Sequence, residues 1–464
     1  LVGLAGQHEA FGATTPIRVS DVNHSSQNQQ IAAKGRFVYV VWQDNDVGIG
    51  DIFFARSLDK GATFPATEML NLSDSSGNSY TPKVAAAGPY VFVAWRETIP
   101  YVGNRVFLTY STDHGRHFSL PDDISGCTYG TNVSWGSIRL EASGNTAHVI
   151  WSQKAPCSQN DSVTPGDYVH YRYVTVTNQG PPTLGGVRFP DSRGGVNAQL
   201  AVSGNSVYLT WAYTYIPPSG PQSNRIYFAS SRDNGRNFDN AFPFPFPHAG
   251  GSRIVASGNN VYVYWPESTG VRLAASSNQG DNLNDPGFTP TNLMANLTLD
   301  WVNNPIAASG NNLYLIGKLP SSRDLLFFKS TDGGANFGSQ PIIINPNFSS
   351  SDKSTIAASG QNVYVVYSMS QGTTDPGARE IYYRHSSDSG GNFGVEQNLS
   401  NSPSVESRHM KIATYGDNAY VTWREDRTDL GSGINHIMVV RPTDAVAEPT
   451  WLPPEPPSQL RLTP

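Results

Sequence analysis

The stretch I-V-A-S-G-N-N-V-Y-V-Y-W, residues 254–265, reads as a strand, a Gly-Asn turn at Gly258 and a second strand. The second strand, Val261-Tyr262-Val263-Tyr264-Trp265, is apolar on both faces, and a strand with no polar face has to be covered on both sides. The unit occurs eight times: Ile31 to Trp42, Val84 to Trp95, Leu140 to Trp151, Leu200 to Trp211, Ile254 to Trp265, Ile306 to Gly317, Ile356 to Tyr367 and Ile412 to Trp423. Its turn glycines, from Gly35 and Gly88 to Gly360 and Gly416, recur every 50 to 60 residues, near the period of four-stranded propeller blades. Radially stacked blades cover each other's faces. The repeat predicts an all-β chain folded as an eight-bladed β-propeller of four-stranded antiparallel blades.

The second half of each repeat is a third strand, such as Asp51 to Arg56, leading into a turn of pattern S-x-D-x-G-x-x-F. Five turns are intact, built on Asp59, Asp113, Asp233, Asp332 and Asp388. Repeat five has Ser276, Asn278, Gly280 and Leu283, repeat three keeps Asn178 and Gly180, and repeat eight has lost the motif. Short Ser and Asp side chains at this spacing bond backbone groups of their own turn, Gly tolerates positive φ, and the ring returns beneath. Carboxylates copied onto five blades are structural rather than catalytic. The pattern resembles the Asp-box (BNR) repeat of the sialidase-like superfamily, over residues from about 31 to 441. That resemblance implies a propeller; Asp boxes also decorate noncatalytic secreted propellers.

The stretch Pro16-Ile17-Arg18-Val19-Ser20 leads into the first repeat as Met69-Leu70-Asn71-Leu72-Ser73 leads into the second, while the last repeat has three strands ending near His436 to Arg441. Residues 17 to 20 are therefore expected to supply the outer strand of blade eight and close the ring without an open internal edge. This divides the chain into a tail, 1–16, a propeller, 17–442, and a Pro-rich tail, 443–464.

A net charge of -6 offers no basic surface for polyphosphate backbones, so nucleic acid is an unfavoured partner. No apolar run approaches the ~20 residues that span a bilayer. The first residue is Leu1 rather than Met, as in an exported protein with its signal peptide removed. Export favours a disulfide between the two cysteines, Cys127 and Cys157. Seven N-x-[ST] sequons, at Asn23, Asn71, Asn132, Asn160, Asn296, Asn347 and Asn398, are glycosylation candidates, although chance alone yields about as many in so Asn-, Ser- and Thr-rich a chain.

Where eight blades share a residue it serves the fold, and where one departs it is a candidate for function. The shared tryptophans, Trp42, Trp95, Trp151, Trp211, Trp265 and Trp423, read as core. The links from second to third strand and from blade to blade share one face, and they are long and unequal, which suits recognition. Two of them carry acidic clusters, Asp44/Asp46/Asp51 and Glu425/Asp426/Asp429. Such oxygen-rich loops can hold calcium, though solvated carboxylates are commoner, and no other cofactor is implied. Sialidase-like catalysis requires converging arginines, and the resemblance supplies no leading arginine motif. Arg139, Arg253 and Arg408, which precede the first strands of blades three, five and eight, are the candidates for a cationic cluster. The expected role is a noncatalytic extracellular or cell-surface propeller that binds glycans or further copies of itself, the latter as filaments assembled head to tail through a terminal segment. The alternative is a sialidase-like glycoside hydrolase or a polysaccharide lyase acting through the loop face.

Overall fold

The computed structural model describes residues 15–443 apart from segments 46–49, 127–132, 134–137, 156–165, 178–179, 190–194, 216–222, 245–250, 268–269, 286–287, 296–304, 319–323, 339, 346–350, 371–377, 428–429 and 431–432. Cys127, Cys157, Asp46, Asp429, Asn132, Asn160, Asn296, Asn347 and nearly all of both tails lie outside the described residues.

Eight four-stranded antiparallel sheets stand in a ring. In seven blades the strands follow chain order from the channel outward; blade 1, for example, runs Ser26–Lys34, Phe37–Asp44, Asp51–Ser57 and Met69–Asn71. Blade 8 is assembled from Glu406–Tyr415, Asn418–Asp426, Asn435–Val440 and, as its outer strand, Ile17–Arg18. Ile17 pairs with Val439 and Arg18 with Met438, and beyond that ladder the Val19 N–H donates to the Ile437 carbonyl at 2.9 Å. The closure is the one expected from the outer-strand repeat. It ties the ring shut by main-chain bonds and leaves no edge inside it.

The doubly apolar second strands carry the core. Val38 to Trp42 and Val261 to Trp265 are fully buried, as is each of the six repeat tryptophans. Each hydrophobic cluster spans two blades: Trp423 and Val421 of blade 8 pack with Tyr364, Val366 and Ile381 of blade 7, and Tyr420 packs with Val38 and Val40 of blade 1. Burying one aromatic side chain removes about 150–250 Å² from water, worth roughly 4–6 kcal/mol in transfer. The indole N–H still needs an acceptor in this dry layer. In five blades it finds one two residues on, on the same strand face: Asp44, Glu97, Gln153, Glu267 and Glu425 accept from Trp42, Trp95, Trp151, Trp265 and Trp423 at 2.6–3.3 Å. A W-x-[D/E/Q] pattern is thus part of the repeat.

The turns joining first to second strands and third to outer strands occupy one end of the ring, the lower face. In the first S-x-D-x-G-x-x-F turn the Ser57 hydroxyl donates to Asp59 Oδ1 (2.7 Å) and accepts from the Gly61 N–H (2.8 Å), and Asp59 accepts from Thr63 N and Oγ1. The same bonds recur at Asp113, Asp233, Asp332 and Asp388, with His117, Asn237, Asn336 and Asn392 in the place of Thr63. The Ser330 hydroxyl and the Asn336 amide hold the Asp332 carboxyl down at about 2. The motif phenylalanine then packs edge-on against the preceding blade, Phe118 on Phe54 and Phe393 on Phe327. At Gly115 and Gly390 both positive φ and space exclude a side chain: a Cβ would lie 2.7 and 2.5 Å from those same Phe54 and Phe327 rings.

A second belt of bonds runs around the lower rim. Each inner strand of blades 3 to 6 ends in a serine beside a turn glycine. Ser143, Ser203 and Ser309 donate to the carbonyls of Gly204, Gly258 and Gly360 in the next blade, and Ser257 accepts from the Gly310 N–H at 2.8 Å. In blades 8 and 1 the corresponding residues are Tyr415 and Lys34, which meet as a cation over a ring at 5.2 Å.

Candidate functional site: the cationic central channel

The innermost strands line a central cavity of about 670 Å³. Their side chains enter it in tiers, because every second residue of a strand faces the same way. The residue just before each repeat's first apolar position forms the upper tier: Gln30, Lys83, Arg139, Gln199, Arg253, Thr355 and Lys411 line the cavity. Blade 6 places Pro305 at this position. Two residues further down, Glu141 of blade 3 shares a tier with Ala201, Val255, Ala307 and Ala357.

Four cations in one tier crowd each other. Burial pushes the Lys83 ammonium down to about 7, helped by repulsion from Arg139 and Lys411. Burial, with repulsion from Arg253, brings the Arg139 guanidinium down to about 10. Neutral oxygens hold the heads in place: Arg139 donates to Gln199 Oε1 (3.2 Å) and the Ile138 carbonyl (3.0 Å), and Arg253 donates to the Ser252 carbonyl (3.1 Å). Glu141 is ringed by protein yet open to the channel space, and this crowding alone pushes its carboxyl up to about 7.

The inner strands of blades 8, 1, 2, 4 and 7 run 10, 9, 10, 8 and 9 residues. In blades 8, 1 and 2 they carry β-bulges at Arg408/Lys411, Gln27/Gln30 and Tyr80/Lys83. Each bulge holds a non-glycine residue at positive φ, His409 (59°), Asn28 (57°) and Thr81 (50°); the β-branched Thr81 is strained there. Gln29 bridges two of these strands by donating to the His409 carbonyl at 2.7 Å.

These bulges decide which predicted residues meet. Arg139 and Arg253 enter the channel together, but Arg408 does not precede the first strand of blade 8: it lies inside Glu406–Tyr415, above the bulge, and Lys411 takes its place in the ring. Arg408 instead pairs with Glu406 and stands 2.9 Å from Asp426, which also accepts from Arg424. Lys83, Lys411 and Glu141 escape a reading of the sequence alone; their signal is position, one residue before or one after the repeat's first apolar residue.

The acidic candidates have protein partners. Asp44 accepts from Ser26 and Trp42 and faces His24 at 3.3 Å, Asp51 accepts from Asn71 and Ser73, and Glu425 accepts from Trp423. Among the described residues no three His, Cys, Asp or Glu side chains stand where they could hold a metal ion. The Asn71 amide donates to Asp51, and Asn71 and Asn398 both accept from a backbone N–H three residues on, so these two sequon side chains cap the ends of their outer strands. The third described sequon residue, Asn23, is exposed, and its backbone N–H donates to Asp21 at 2.8 Å.

No protein-family model matches the chain. No curated protein matches it either. Solved structures do, at low identity. A puromycin-hydrolyzing peptidase of Mycobacterium tuberculosis is 10% identical with a TM-score of 0.46, over 89% of this chain and 61% of that one. The β-propeller domain of the Trilobed protease of Pyrococcus furiosus is 10% identical (TM-score 0.45) over 82% and 99% of the two chains. The NanB sialidase of Streptococcus pneumoniae, as a mutant, is 10% identical (TM-score 0.39) over 92% and 94%. The chain thus spans about three fifths of the length of the peptidase.

Proposed function

We propose that the chain is a noncatalytic binding propeller whose central channel takes an anion, such as the acidic end of a glycan. The observation that supports this reading is the convergence of Lys83, Arg139, Arg253 and Lys411 on one tier of the cavity, where burial, and after it their mutual repulsion, depresses Lys83 and Arg139. An anion seated among them relieves that repulsion and gains charge-assisted hydrogen bonds from guanidinium forks. Binding is favoured over hydrolysis because Glu141 is the single carboxylate among the described residues lining the channel, whereas glycoside hydrolysis ordinarily uses two carboxylates on opposite sides of the scissile bond.

Calorimetric titration at low ionic strength with sulfate and citrate tests the reading. Saturable binding that weakens with salt, and by about 100-fold in the double variant Arg139→Ala, Arg253→Ala, is expected. No saturable heat from either anion, or undiminished binding by the double variant, would overturn it.

The extracellular surface or matrix setting, with assembly through residues 1–16 or 443–464, is part of the same proposal. Propellers that close their own ring can add an extended segment from a neighbour without unfolding. Light scattering on the full chain and on both truncations tests it; a full-length monomer at high concentration, or polymers that survive both deletions, would end it.

A further inference from the structure

One carboxylate inside a cationic channel is a departure that the fold does not require. At its tier the other blades carry Ala32, Ala85, Ala201, Val255, Ala307, Ala357 and Ala413, so an alanine would complete the wall. No hydrogen bond or ion pair among the described residues engages the Glu141 side chain. It faces the same cavity as the four cations, yet none of the ion pairs of 4.0 Å or less formed by described residues includes it. The carboxylate is exposed to the channel space, so its oxygens are available to accept from a bound group.

The tier spacing gives the shape of that group's carrier. Arg139 and Glu141 are two residues apart on one strand, which sets their positions about 6–7 Å apart along the channel axis. Across from Glu141 the wall is apolar, formed by Ala201, Val255, Ala307 and Ala357. A divalent cation is a poor occupant, because it takes six or more oxygen ligands and that wall supplies none. An ammonium group carries three donors, of which Glu141 can take one and water in the channel the others.

We propose, building on the anion-binding reading, that the channel's ligand is a zwitterion: its acid group sits in the ring of Lys83, Arg139, Arg253 and Lys411, and its ammonium group reaches Glu141 through an aliphatic spacer that lies against Ala201, Val255, Ala307 and Ala357. The two ends are bound at different depths, so the channel reads both charge and length. An α-amino acid, whose two charges sit on one carbon, cannot satisfy both tiers, while an ω-amino acid with a spacer of about four methylenes can.

The test compares 5-aminopentanoate with pentanoate by calorimetry at low salt and about pH 8, where Glu141 is ionised. The expected result is binding of 5-aminopentanoate at least about tenfold tighter than pentanoate, equivalent to the roughly 1.4 kcal/mol of one charge-assisted bond, with glycine as weak as pentanoate. Glu141→Gln should abolish that preference while sulfate still binds, and Glu141→Asp should restore part of it. Equal affinity for the two acids in the wild type, or a preference that survives Glu141→Gln, overturns the proposal. The wild-type comparison decides the matter even if a variant fails to fold. Sulfate binding without a preference for the amino acid leaves the anion-binding reading standing and rejects only the zwitterion; loss of all anion binding rejects both.

Discussion

The two ends of the same eight inner strands make opposite use of repetition. At the lower rim of blades 3 to 6 one position has one role, in which Ser143, Ser203, Ser257 and Ser309 each bond the turn glycine of the next blade. At the upper tier the equivalent positions hold Gln30, Lys83, Arg139, Gln199, Arg253, Thr355 and Lys411. No geometric demand of the blade accounts for that variety, since the strand ladder is indifferent to what projects into the channel. The rim position that fastens one blade to the next is copied, and the upper-tier position that projects into the channel diverges. The contrast separates residues that hold the ring from residues that meet a ligand.

The comparison predicts that the two ends can be broken separately. The largest effect is expected at the top, where Arg139→Ala with Arg253→Ala should weaken sulfate binding by about 100-fold, or ~2–3 kcal/mol, without lowering the melting temperature. At the bottom, Ser203→Ala with Ser309→Ala should leave sulfate affinity unchanged and cost about 1–2 kcal/mol in chemical denaturation, since each hydroxyl makes one partly solvated bond. A loss of binding from the serine pair, or a loss of stability from the arginine pair, would erase the distinction between the two ends.

Two smaller effects sharpen it through pH. Lys83 loses its proton and Glu141 becomes charged near the same value, about 7. Both changes make the channel less positive as pH rises, with Arg139, Arg253 and Lys411 as the cations left facing the ligand. Sulfate affinity should therefore fall by about threefold to tenfold between pH 6 and 8, read from titrations in buffers of matched ionic strength, and Glu141→Gln should flatten part of the slope. The smallest effect concerns stability. Lys83 titrates near 7 in the fold against 10.5 ordinarily, so between those values the unfolded chain holds more protons and wild-type stability rises with pH. Below pH 7 the full penalty of the buried ammonium is present. Lys83→Met should raise the melting temperature by roughly 2–4 °C at about pH 6, and the gain should shrink toward nothing as pH approaches 10.5.

Sequence and structure agree where the signal is local and repeated. The doubly apolar strand Val261 to Trp265, the turn at Gly258 and the S-x-D-x-G-x-x-F turn each follow from a few neighbouring residues. Eightfold repetition turns these weak local preferences into a blade count, and the orphan strand at Ile17 follows from counting. The channel is less legible. Arg139 and Arg253 stand out because they abut the repeat, but Arg408 groups with them on residue type alone, because the bulge between it and Lys411 leaves no compositional mark. Lys83 and Lys411 escape a search for arginine.

The amino-acid order therefore settled the blade, its turns, the number of blades and how the ring is fastened, because those depend on period-two burial and on bonds within a dozen residues. Which side chains share the channel was decided only in three dimensions. Lys83, Arg139, Arg253 and Lys411 are separated by more than 50 residues at each step, and they acquire a common electrostatic field, and shifted proton affinities, when ring closure brings eight strands around one axis. Glu141 acquires its meaning in the same way: in the sequence it is one acid before an Ala-Ser-Gly turn, and in the closed ring it is the single carboxylate among the described residues of a cationic channel.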